Sequence, residues 1–367
     1  MGHGGGRTAV KTVGWGIVGT GEIARRFASD LAFAPGAVLH AVHSRNPDNA
    51  EAFRAGTGAQ RAYHDLDAFM SDPQIEAVYI ATPNSLHLAQ TLRALRNRKP
   101  VLTEKPIAPS YPEAEVIERE ALRQKTFAME AMWTRFLPAV KAAKTRIKAG
   151  AIGEIRKIRA DLSYFRPYDP ESRFFSRALG GGAALDLGVY PVSLAMYFLG
   201  EPEKVSGRWF SAKNGVDMRT EITLHYASAE AELSCGFDRD GSNHFLIEGS
   251  AGALRLDAPF LKAQRLTLYS PAAMKSPLVA PSPQGDRLAA KLISRLPPPL
   301  ARLWGCQVEH HPFEGNGLQF QAIAVMDALR AGENRSAVMP LQESVAVLRA
   351  IGIVLSRSPI HEMPPAA

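Results

Sequence analysis

Cysteine is scarce in this 367-residue chain, which has only Cys235 and Cys306, far apart in the sequence. That count excludes a disulfide-stapled scaffold, so we expect a reducing, cytoplasmic environment. Histidines in metal-ligand spacing are missing too. The adjacent His310 and His311 have no defined ligand spacing, and no metal site is predicted. No uninterrupted apolar run reaches the length of a membrane span, so we expect no membrane association.

The chain also lacks a concentrated patch of one charge. Lys and Arg number 43 against 36 Asp and Glu, a net charge of +7, but the basic residues are scattered along the sequence. Because nucleic-acid binders gather their basic residues on one face, we expect no nucleic-acid partner. Hydrophobic residues make up 46% of the chain and charged residues 22%, which is typical of a globular protein rather than a disordered one. The length allows two domains.

The first third of the chain alternates short apolar runs with helical patterns. Candidate strands lie at residues 13–18, 38–43, 78–81 and 101–103, and helices lie between them, among them residues 48–54 with Asp48 as cap and residues 112–124. This alternation predicts a doubly wound parallel sheet, a Rossmann domain over residues 12–132. Residues 1–11, rich in glycine, are interpreted as a flexible leader.

The pattern changes after Met132. Helices are predicted at residues 138–148, 186–198, 317–329 and 342–356, and strands at residues 155–165, 220–226, 230–236, 243–248, 253–257 and 265–269. Consecutive strands without intervening helices predict an antiparallel sheet with one covered face. Residues 133–367 are therefore predicted to form an α/β domain for substrate binding and oligomerisation. Its proline-rich segment, residues 270–317, is expected to be mostly irregular.

A glycine motif of the form G-x-G-x-x-A runs from Gly19 to Ala24, directly after the first predicted strand. Gly19 permits a tight turn, Gly21 lets the backbone approach a pyrophosphate, and Ala24 lets the helix pack closely on the strand. The start of the helix adds N–H donors and a partial positive charge for the phosphates. The predicted cofactor contacts here are Gly19, Thr20, Gly21, Glu22 and Ile23.

The end of the second predicted strand bears on the choice of cofactor. Domains that bind NAD usually carry Asp or Glu there, which holds the ribose 2′-hydroxyl. This chain has His43, Ser44 and Arg45 instead. A hydroxyl and a guanidinium can bind a 2′-phosphate, which a carboxylate would repel, although Arg45 alone could equally be a solvated loop residue. The sequence therefore favours NADP(H) over NAD(H).

Two further segments follow predicted parallel strands. Residues 79–84 read Tyr-Ile-Ala-Thr-Pro-Asn, with His87 nearby, and residues 104–106 read Glu-Lys-Pro. With the glycine motif, they resemble the Gfo/Idh/MocA family of oxidoreductases, in which E-K-P is a signature, over about residues 12–357. The resemblance implies a Rossmann domain, then an α/β domain with a large, open, mostly antiparallel sheet. It also implies a homo-oligomer, dimer or tetramer, formed through that sheet.

The resemblance carries further cofactor contacts onto this chain. For His87 the alternative is that it simply belongs to the first turn of a helix. For Lys105 the alternative is a solvated loop lysine. The implied contacts are Ala81, Thr82, Asn84, His87, Glu104 and Lys105.

A second signature is the glycine run at residues 180–182, followed by Asp186 and Tyr190. Many family members have Asp and then His at the last two positions. Tyrosine at position 190, and the segment at residues 129–136, are similar to the branch that contains dimeric dihydrodiol dehydrogenases and NADP-dependent xylose dehydrogenases. Asp186 and Tyr190 are four residues apart on a predicted helix, so their side chains share a face. Tyr190 could also be an ordinary core residue, and Asp186 a helix cap.

Oxidation of a hydroxyl requires a group that takes its proton, and reduction requires a group that gives one. Tyr190 can do either, although the ordinary pKa of a phenol near 10 is high for a base. We expect the Lys105 cation to lower that pKa and to stabilise alkoxide charge. Asp186 is expected to orient Lys105 or substrate hydroxyls. The alternative, Lys105 as the direct acid and base with Tyr190 as its partner, stays open.

The expected substrate is a small sugar, polyol or diol. A non-catalytic protein that senses NAD(P) is the alternative function for this fold. The candidate substrate-binding residues are Trp133, Arg135, Phe136, Arg166, Asp169 and Arg173. For the first three, packing between the domains is the alternative role.

Overall fold

The computed structural model describes residues 11–281 and 298–361. Six strands form the first sheet: β1 (Val13–Val18), β2 (Ala37–His43), β3 (Arg61–Tyr63), β4 (Ala77–Ile80), β5 (Val101–Thr103) and β6 (Ala128–Glu130). Their order is β3-β2-β1-β4-β5-β6, and all neighbours are parallel. The helices between them are α1 (Glu22–Asp30), α2 (Pro47–Thr57), α3 (Leu66–Ser71), α4 (His87–Arg96) and α5 (Tyr111–Gln124).

This order places a crevice next to the glycine motif. The chain runs outward from β1 to β2 and β3, then returns to the other side of β1 to form β4. In open parallel sheets, ligands bind at the carboxyl ends of the strands where the order reverses. One detail of the prediction was wrong: Asn46, not Asp48, caps α2, because its side chain accepts from the Asn49 N–H at 3.2 Å.

The second sheet has eight strands: β7 (Ile155–Ser163), β8 (Lys204–Ser211), β9 (Asp217–His225), β10 (Glu230–Gly236), β11 (Phe245–Gly249), β12 (Gly252–Leu256), β13 (Arg265–Tyr269) and β14 (Cys306–His310). Their order is β14-β13-β12-β11-β7-β10-β9-β8. Only β7 and β10 run parallel, and the other neighbours are antiparallel. The predicted fold class is confirmed.

The helices of this part are α6 (Pro138–Lys148), α7 (Val189–Leu199), α8 (Pro271–Lys275), α9 (Pro298–Leu303), α10 (Gln319–Arg330) and α11 (Leu341–Leu355). Helix α11 packs against α5 of the first sheet and against α7. Apolar side chains of both sheets therefore belong to one continuous core. Within the described ranges, the stretch Arg177–Leu199 is apolar and long enough to cross a membrane, but 72% of its apolar window is buried inside the protein, as expected for a core helix.

The proline-rich segment and the outer face of the second sheet differ in part from the predictions. The segment supplies the edge strand β14 and the short helices α8 and α9, while residues 282–297 lie outside the described residues. Alternate residues of β11 and β12, Leu246 and Ala253, join a second apolar cluster with Tyr269 and Ala301. Because alternate strand residues point to opposite faces, α8 and α9 cover the outer face at this end of the sheet.

Candidate functional site

The glycine motif forms an open cradle at the end of β1. Gly19 has φ +109°, and a Cβ there would lie 2.7 Å from the Ala81 carbonyl oxygen, so this position requires glycine. Gly21 precedes the first turn of α1, and a Cβ built on it meets no atom within 4 Å. The helix start thus faces open space, as a dinucleotide pyrophosphate requires. Thr20 and Ile23 are half-buried beside this opening.

At the end of β2, Ser44 is half-buried and Arg45 is exposed. The Ser44 hydroxyl accepts from the Asn46 N–H at 3.3 Å, which leaves its own proton available to a ligand. The predicted phosphate-binding pair therefore lies on the same sheet edge as the glycine cradle, because β1 and β2 are parallel neighbours.

The three predicted catalytic residues come together although they are far apart in sequence. Lys105 follows β5, and its Nζ donates to the Asp186 carbonyl oxygen at 2.7 Å and to Asp186 Oδ1 at 3.1 Å. The same Nζ lies over the Tyr190 ring, 5.0 Å from its centroid. Both members of the Lys105–Asp186 ion pair are about 15% exposed, so they retain one opening to the crevice.

A glycine and a buried carboxylate shape the turn that carries Asp186. Gly182 has φ +127°, and a Cβ there would overlap Asp217 Oδ1. The other oxygen of Asp217 accepts from the Ala184 N–H at 2.6 Å and so caps the start of the helix. Residues Ala184–Gly188 form a π-helical turn that leads into α7. Such turns are frequent at functional sites, and this one places a carbonyl oxygen within reach of Lys105.

The Tyr190 hydroxyl has a partner that the sequence did not reveal. The indole Nε1 of Trp133 donates to it at 3.0 Å. Burial raises the pKa of Tyr190 to about 12, because it outweighs the opposite effects of the Lys105 cation and of the Trp133 hydrogen bond. Lys105 thus acts in the expected direction, but the expected net lowering of this pKa is wrong.

The charges of the other two groups follow from their contacts. Burial lowers the pKa of Lys105, but Asp186, Tyr190 and Glu104 outweigh it and hold the pKa above its ordinary value. Burial raises the pKa of Asp186, but the charges of Lys105 and Arg173 leave it below its ordinary value. At neutral pH the site therefore contains an ammonium, a carboxylate and a neutral phenol.

Comparison with known proteins identifies the family of this chain. Residues 13–131 match the oxidoreductase family with an NAD-binding Rossmann fold, and residues 140–255 match the GFO/IDH/MocA C-terminal domain. Trans-1,2-dihydrobenzene-1,2-diol dehydrogenase from Mus musculus is 30% identical over 335 residues, which cover 90% of this chain and 92% of that protein. The chain belongs to the Gfo/Idh/MocA family. The dehydrogenase of the same name from Homo sapiens matches at the same identity and coverage.

Solved structures share the fold. Aldose-aldose oxidoreductase from Caulobacter crescentus, complexed with glycerol, has a TM-score of 0.77 at 23% identity, covering 94% of this chain and 96% of that one. A 3-ketoreductase from Actinomadura kijaniata, in complex with NADP and TDP-benzene, has a TM-score of 0.76 at 22% identity and covers 96% and 100%. As a Gfo/Idh/MocA protein, this chain is an NAD(P)-dependent dehydrogenase or reductase acting on CH–OH groups.

The glutamate of the E-K-P signature lies buried next to the proposed catalytic lysine. Glu104 is 6% exposed, accepts a hydrogen bond from the Tyr79 hydroxyl, and accepts from the Lys105 N–H at 3.2 Å. Burial raises its pKa to about 7. Both oxygens are engaged by protein donors, and the cofactor contact of Glu104 stays a prediction. Tyr79 was missed, although a tyrosine inside a buried strand needs a partner for its hydroxyl.

His87 is also internal. It has no exposed surface, and its ring nitrogens lie 2.7 Å from the Pro106 carbonyl oxygen and 2.8 Å from that of Thr82. The predicted cofactor contact of His87 is therefore wrong. Instead, this residue joins the loop after β4 to the loop after Lys105. Asn84 donates to the Gly180 carbonyl oxygen at 3.1 Å and so links the first loop to the glycine run.

Two of the predicted substrate contacts are core residues of this protein. Arg135 has no exposed surface; it donates to the Ser193 carbonyl oxygen at 2.6 Å and to that of Val338 at 3.0 Å, and it forms an ion pair with Glu343. Phe136 is completely buried as well. The substrate-binding predictions for both are wrong, because neither side chain is accessible. The contacts of Arg135 join the start of the second domain to α7 and α11.

The loop between β7 and the glycine run carries the remaining candidates. Asp169 is exposed, and its Oδ1 accepts from the Glu171 N–H at 3.0 Å, as in a turn. Arg173 Nη1 lies 4.0 Å from Asp186 Oδ1. Arg166 lies over the ring of Phe174. The substrate contacts of all three residues stay predictions. The two arginines lie beside the site, whereas the Asp169 carboxylate contacts its own turn.

Proposed function

We propose that this enzyme is an NADP(H)-dependent oxidoreductase that interconverts a secondary hydroxyl and a carbonyl on a small sugar, polyol or diol. The observation that carries the proposal is the ion pair of Lys105 with Asp186 beside Tyr190, at the strand ends that also carry the glycine cradle. The names of the relatives, a dihydrodiol dehydrogenase and an aldose-aldose oxidoreductase, support this substrate class.

The hydrogen bonds favour Tyr190 over Lys105 for the proton step. Lys105 donates twice to Asp186, which leaves one N–H free to hold the substrate oxygen. The Tyr190 oxygen already accepts from Trp133, so its own O–H is free to donate to the same substrate oxygen. The nicotinamide of the bound cofactor supplies or accepts the hydride. In reduction, the Tyr190 proton goes to the carbonyl oxygen while the Lys105 cation stabilises its negative charge.

The preference for NADP(H) rests on Ser44 and Arg45. A 2′-phosphate adds two negative charges near the end of β2, where an exposed guanidinium and a free hydroxyl proton can bind it. The chain places no carboxylate at positions 43–45 that would hold a 2′-hydroxyl or repel a phosphate.

A titration with each cofactor tests this preference. We expect NADPH to quench the intrinsic fluorescence at much lower concentration than NADH, and Arg45→Ala to remove most of the difference, by about tenfold or more. Arg54→Ala removes a half-buried arginine of α2 whose partner is Glu51, and it should leave the preference unchanged. Equal affinity for both cofactors in the wild type would contradict the NADP(H) assignment and leave the oxidoreductase intact.

A second experiment tests the reaction. Sugars, polyols and diols are screened with both cofactors in both directions, and Tyr190→Phe is measured on the best substrate. We expect turnover to fall by about 10²- to 10⁴-fold without loss of NADPH affinity, because the variant lacks only the exchangeable proton. Wild-type binding of NADPH without turnover of any carbonyl or hydroxyl substrate would contradict the proposed reaction.

A homo-oligomer and a cytoplasmic location both stay predictions. If a second copy packs on the second sheet, it can reach the outer face of β7 and β10, because α8 and α9 pack mainly against β12, β13 and β14. That face is polar: Lys157 pairs with Glu232 at 2.6 Å, and Arg159 pairs with Glu248 at 3.2 Å.

A further inference from the structure

Two arginines share one aromatic ring beside the proposed catalytic groups. The Cζ atoms of Arg166 and Arg173 lie 3.8 Å and 4.1 Å from the ring centroid of Phe174. Contact with the ring fixes both guanidinium groups while leaving their N–H donors available at the edges. Two like charges are thereby placed next to each other in the loop that borders the crevice.

Neither guanidinium has a close carboxylate partner within the described residues. The ion pair of Arg173 is the long one to Asp186, at 4.0 Å, and Arg166 has none. The Nε of Arg166 is buried and has no hydrogen-bond partner in this part of the chain. Other arginines of the same domain differ: Arg219 and Arg239 each have a carboxylate oxygen at 3.1 Å.

Within the described residues, no carboxylate forms a short ion pair with either guanidinium. Asp186 is held by Lys105, Asp169 accepts from a backbone N–H within its own turn, and Asp240 accepts from the Phe165 N–H at 3.0 Å. The ammonium and the two guanidinium groups therefore outnumber Asp186, which is the one carboxylate of the described residues within ion-pair distance of any of them. An excess of cations that border a cleft attracts an anionic ligand.

We propose that the substrate carries an anionic group, a carboxylate or a phosphate, which Arg166 and Arg173 bind while its hydroxyl or carbonyl reacts at Tyr190. The inference rests on the proposed function and names the substrate class more closely. A carboxylate or phosphate presents two oxygens to the edge of a guanidinium, which is the geometry that arginine binds best. A neutral sugar offers no such partner.

Calorimetric titration of the NADPH-loaded protein tests the proposal without requiring turnover. The three ligands are D-glucose, D-glucuronate and D-glucose 6-phosphate, which differ at one carbon. We expect at least one anionic sugar to bind about tenfold or more tightly than D-glucose, and the preference to weaken as salt rises. Prior loading with NADPH keeps the phosphate ligand out of the cofactor site. The ligand that binds more tightly identifies carboxylate or phosphate as the anion.

Variants connect the preference to the two arginines. Arg166→Gln and Arg173→Gln should each reduce the ratio of affinities for anionic and neutral sugar, and the double variant should bring it close to one. Arg177→Gln removes a neighbouring exposed arginine of the same loop and should preserve the ratio. If neither anionic sugar binds more tightly than D-glucose, or if the double variant keeps the preference, the proposal is wrong.

Turnover of the same three sugars is measured with NADP⁺ as well as with NADPH, because oxidation of a hydroxyl needs the oxidised cofactor to accept the hydride. This measurement separates the inference from the proposed function. Preferential binding of an anionic sugar that depends on both arginines supports the inference even where no cofactor is consumed. Absence of turnover with every ligand would then count against the proposed reaction. Turnover of D-glucose together with equal binding of all three ligands would support the reaction and overturn the anionic substrate.

Discussion

The indole nitrogen of Trp133 donates a hydrogen bond to the Tyr190 hydroxyl across 3.0 Å, and both side chains are more than nine-tenths buried. This contact ties the first residues of the second domain to the helix that carries the proposed proton donor. A donor to the phenol oxygen stabilises the phenolate form, so it partly opposes the effect of burial on the Tyr190 pKa.

Trp133→Phe should therefore raise the Tyr190 pKa further. In the direction of oxidation, kcat/KM should rise with pH below this pKa, and Trp133→Phe should lower kcat/KM about tenfold at each pH of that rising limb. The measurement is the pH dependence of kcat/KM in both proteins. Trp209→Phe is the matched control, because its Nε1 bonds to the Arg357 carbonyl oxygen. An unchanged pH profile in Trp133→Phe would mean that the bond does not act on Tyr190.

The ion pair of Lys105 and Asp186 makes a prediction on stability as well as activity. Lys105→Met leaves the Asp186 carboxylate buried without its main partner, which should cost about 3 kcal/mol in the free energy of unfolding. Adding Asp186→Asn removes the uncompensated charge, so the double variant should regain most of that stability. Both Lys105→Met and the double variant should be inactive, because each lacks the cation that stabilises the substrate oxygen.

Urea unfolding and turnover of the two single variants and the double variant check this prediction. Asp186→Asn alone should retain the fold and NADPH binding but turn over more slowly, because Lys105 loses its orienting carboxylate. A double variant as unstable as Lys105→Met would show that the loss comes from packing of the lysine side chain and not from an unpaired charge.

The family resemblance, together with local spacing, predicted which residues meet at the chemical core of the site. The glycines of the cradle follow an apolar strand, and Asp186 precedes Tyr190 by one helical turn. Such features depend on residues within one element, which is why sequence periodicity detects them. Lys105 was placed by its position at the end of a parallel strand, where open sheets bind ligands.

Contacts between distant elements could not be predicted in the same way. Arg135 and His87 are polar residues in segments that resemble the family's binding site. Both are nevertheless internal, because carbonyl oxygens of other elements accept their hydrogen bonds. The Ser193 partner of Arg135 lies 58 positions away. The prediction of a lowered Tyr190 pKa was wrong for a related reason. Tertiary packing sets how deeply the phenol is buried, and the effect of this burial on the pKa exceeds that of the nearby lysine.

Gly21 offers a test of the cradle that does not disturb the fold. Its φ is −73° and a Cβ meets no atom within 4 Å, so Gly21→Ala should fold with unchanged stability. The added methyl group would occupy the space where backbone and pyrophosphate approach each other, and NADPH affinity should fall about tenfold or more. Fluorescence titration and thermal unfolding measure the two effects. Gly56→Ala, an open position in α2, is the control and should leave affinity intact.

Glu104 predicts how stability depends on pH. Its pKa is raised by burial from 4.5 to about 7, so between these values the folded protein holds a proton that the unfolded chain has released. Stability contributed by this group is therefore greatest at low pH and declines as pH rises from 4.5 toward 7, by up to about 1.4 kcal/mol per pH unit.

Glu104→Gln cannot titrate, so its free energy of unfolding relative to the wild type should rise steadily from pH 5 to pH 7. Urea unfolding at pH 5, 6, 7 and 8 measures this difference. The buried Asp217, whose pKa burial also raises to about 7, contributes equally to both proteins and cancels. Glu51→Gln, an exposed glutamate of α2, should show a constant difference over the same range, because its pKa is lowered by its bond to Arg54. Parallel pH curves for the wild type and Glu104→Gln would show that Glu104 is already ionised in the folded enzyme at pH 5. Its bond with Tyr79 would then hold a carboxylate beside Lys105.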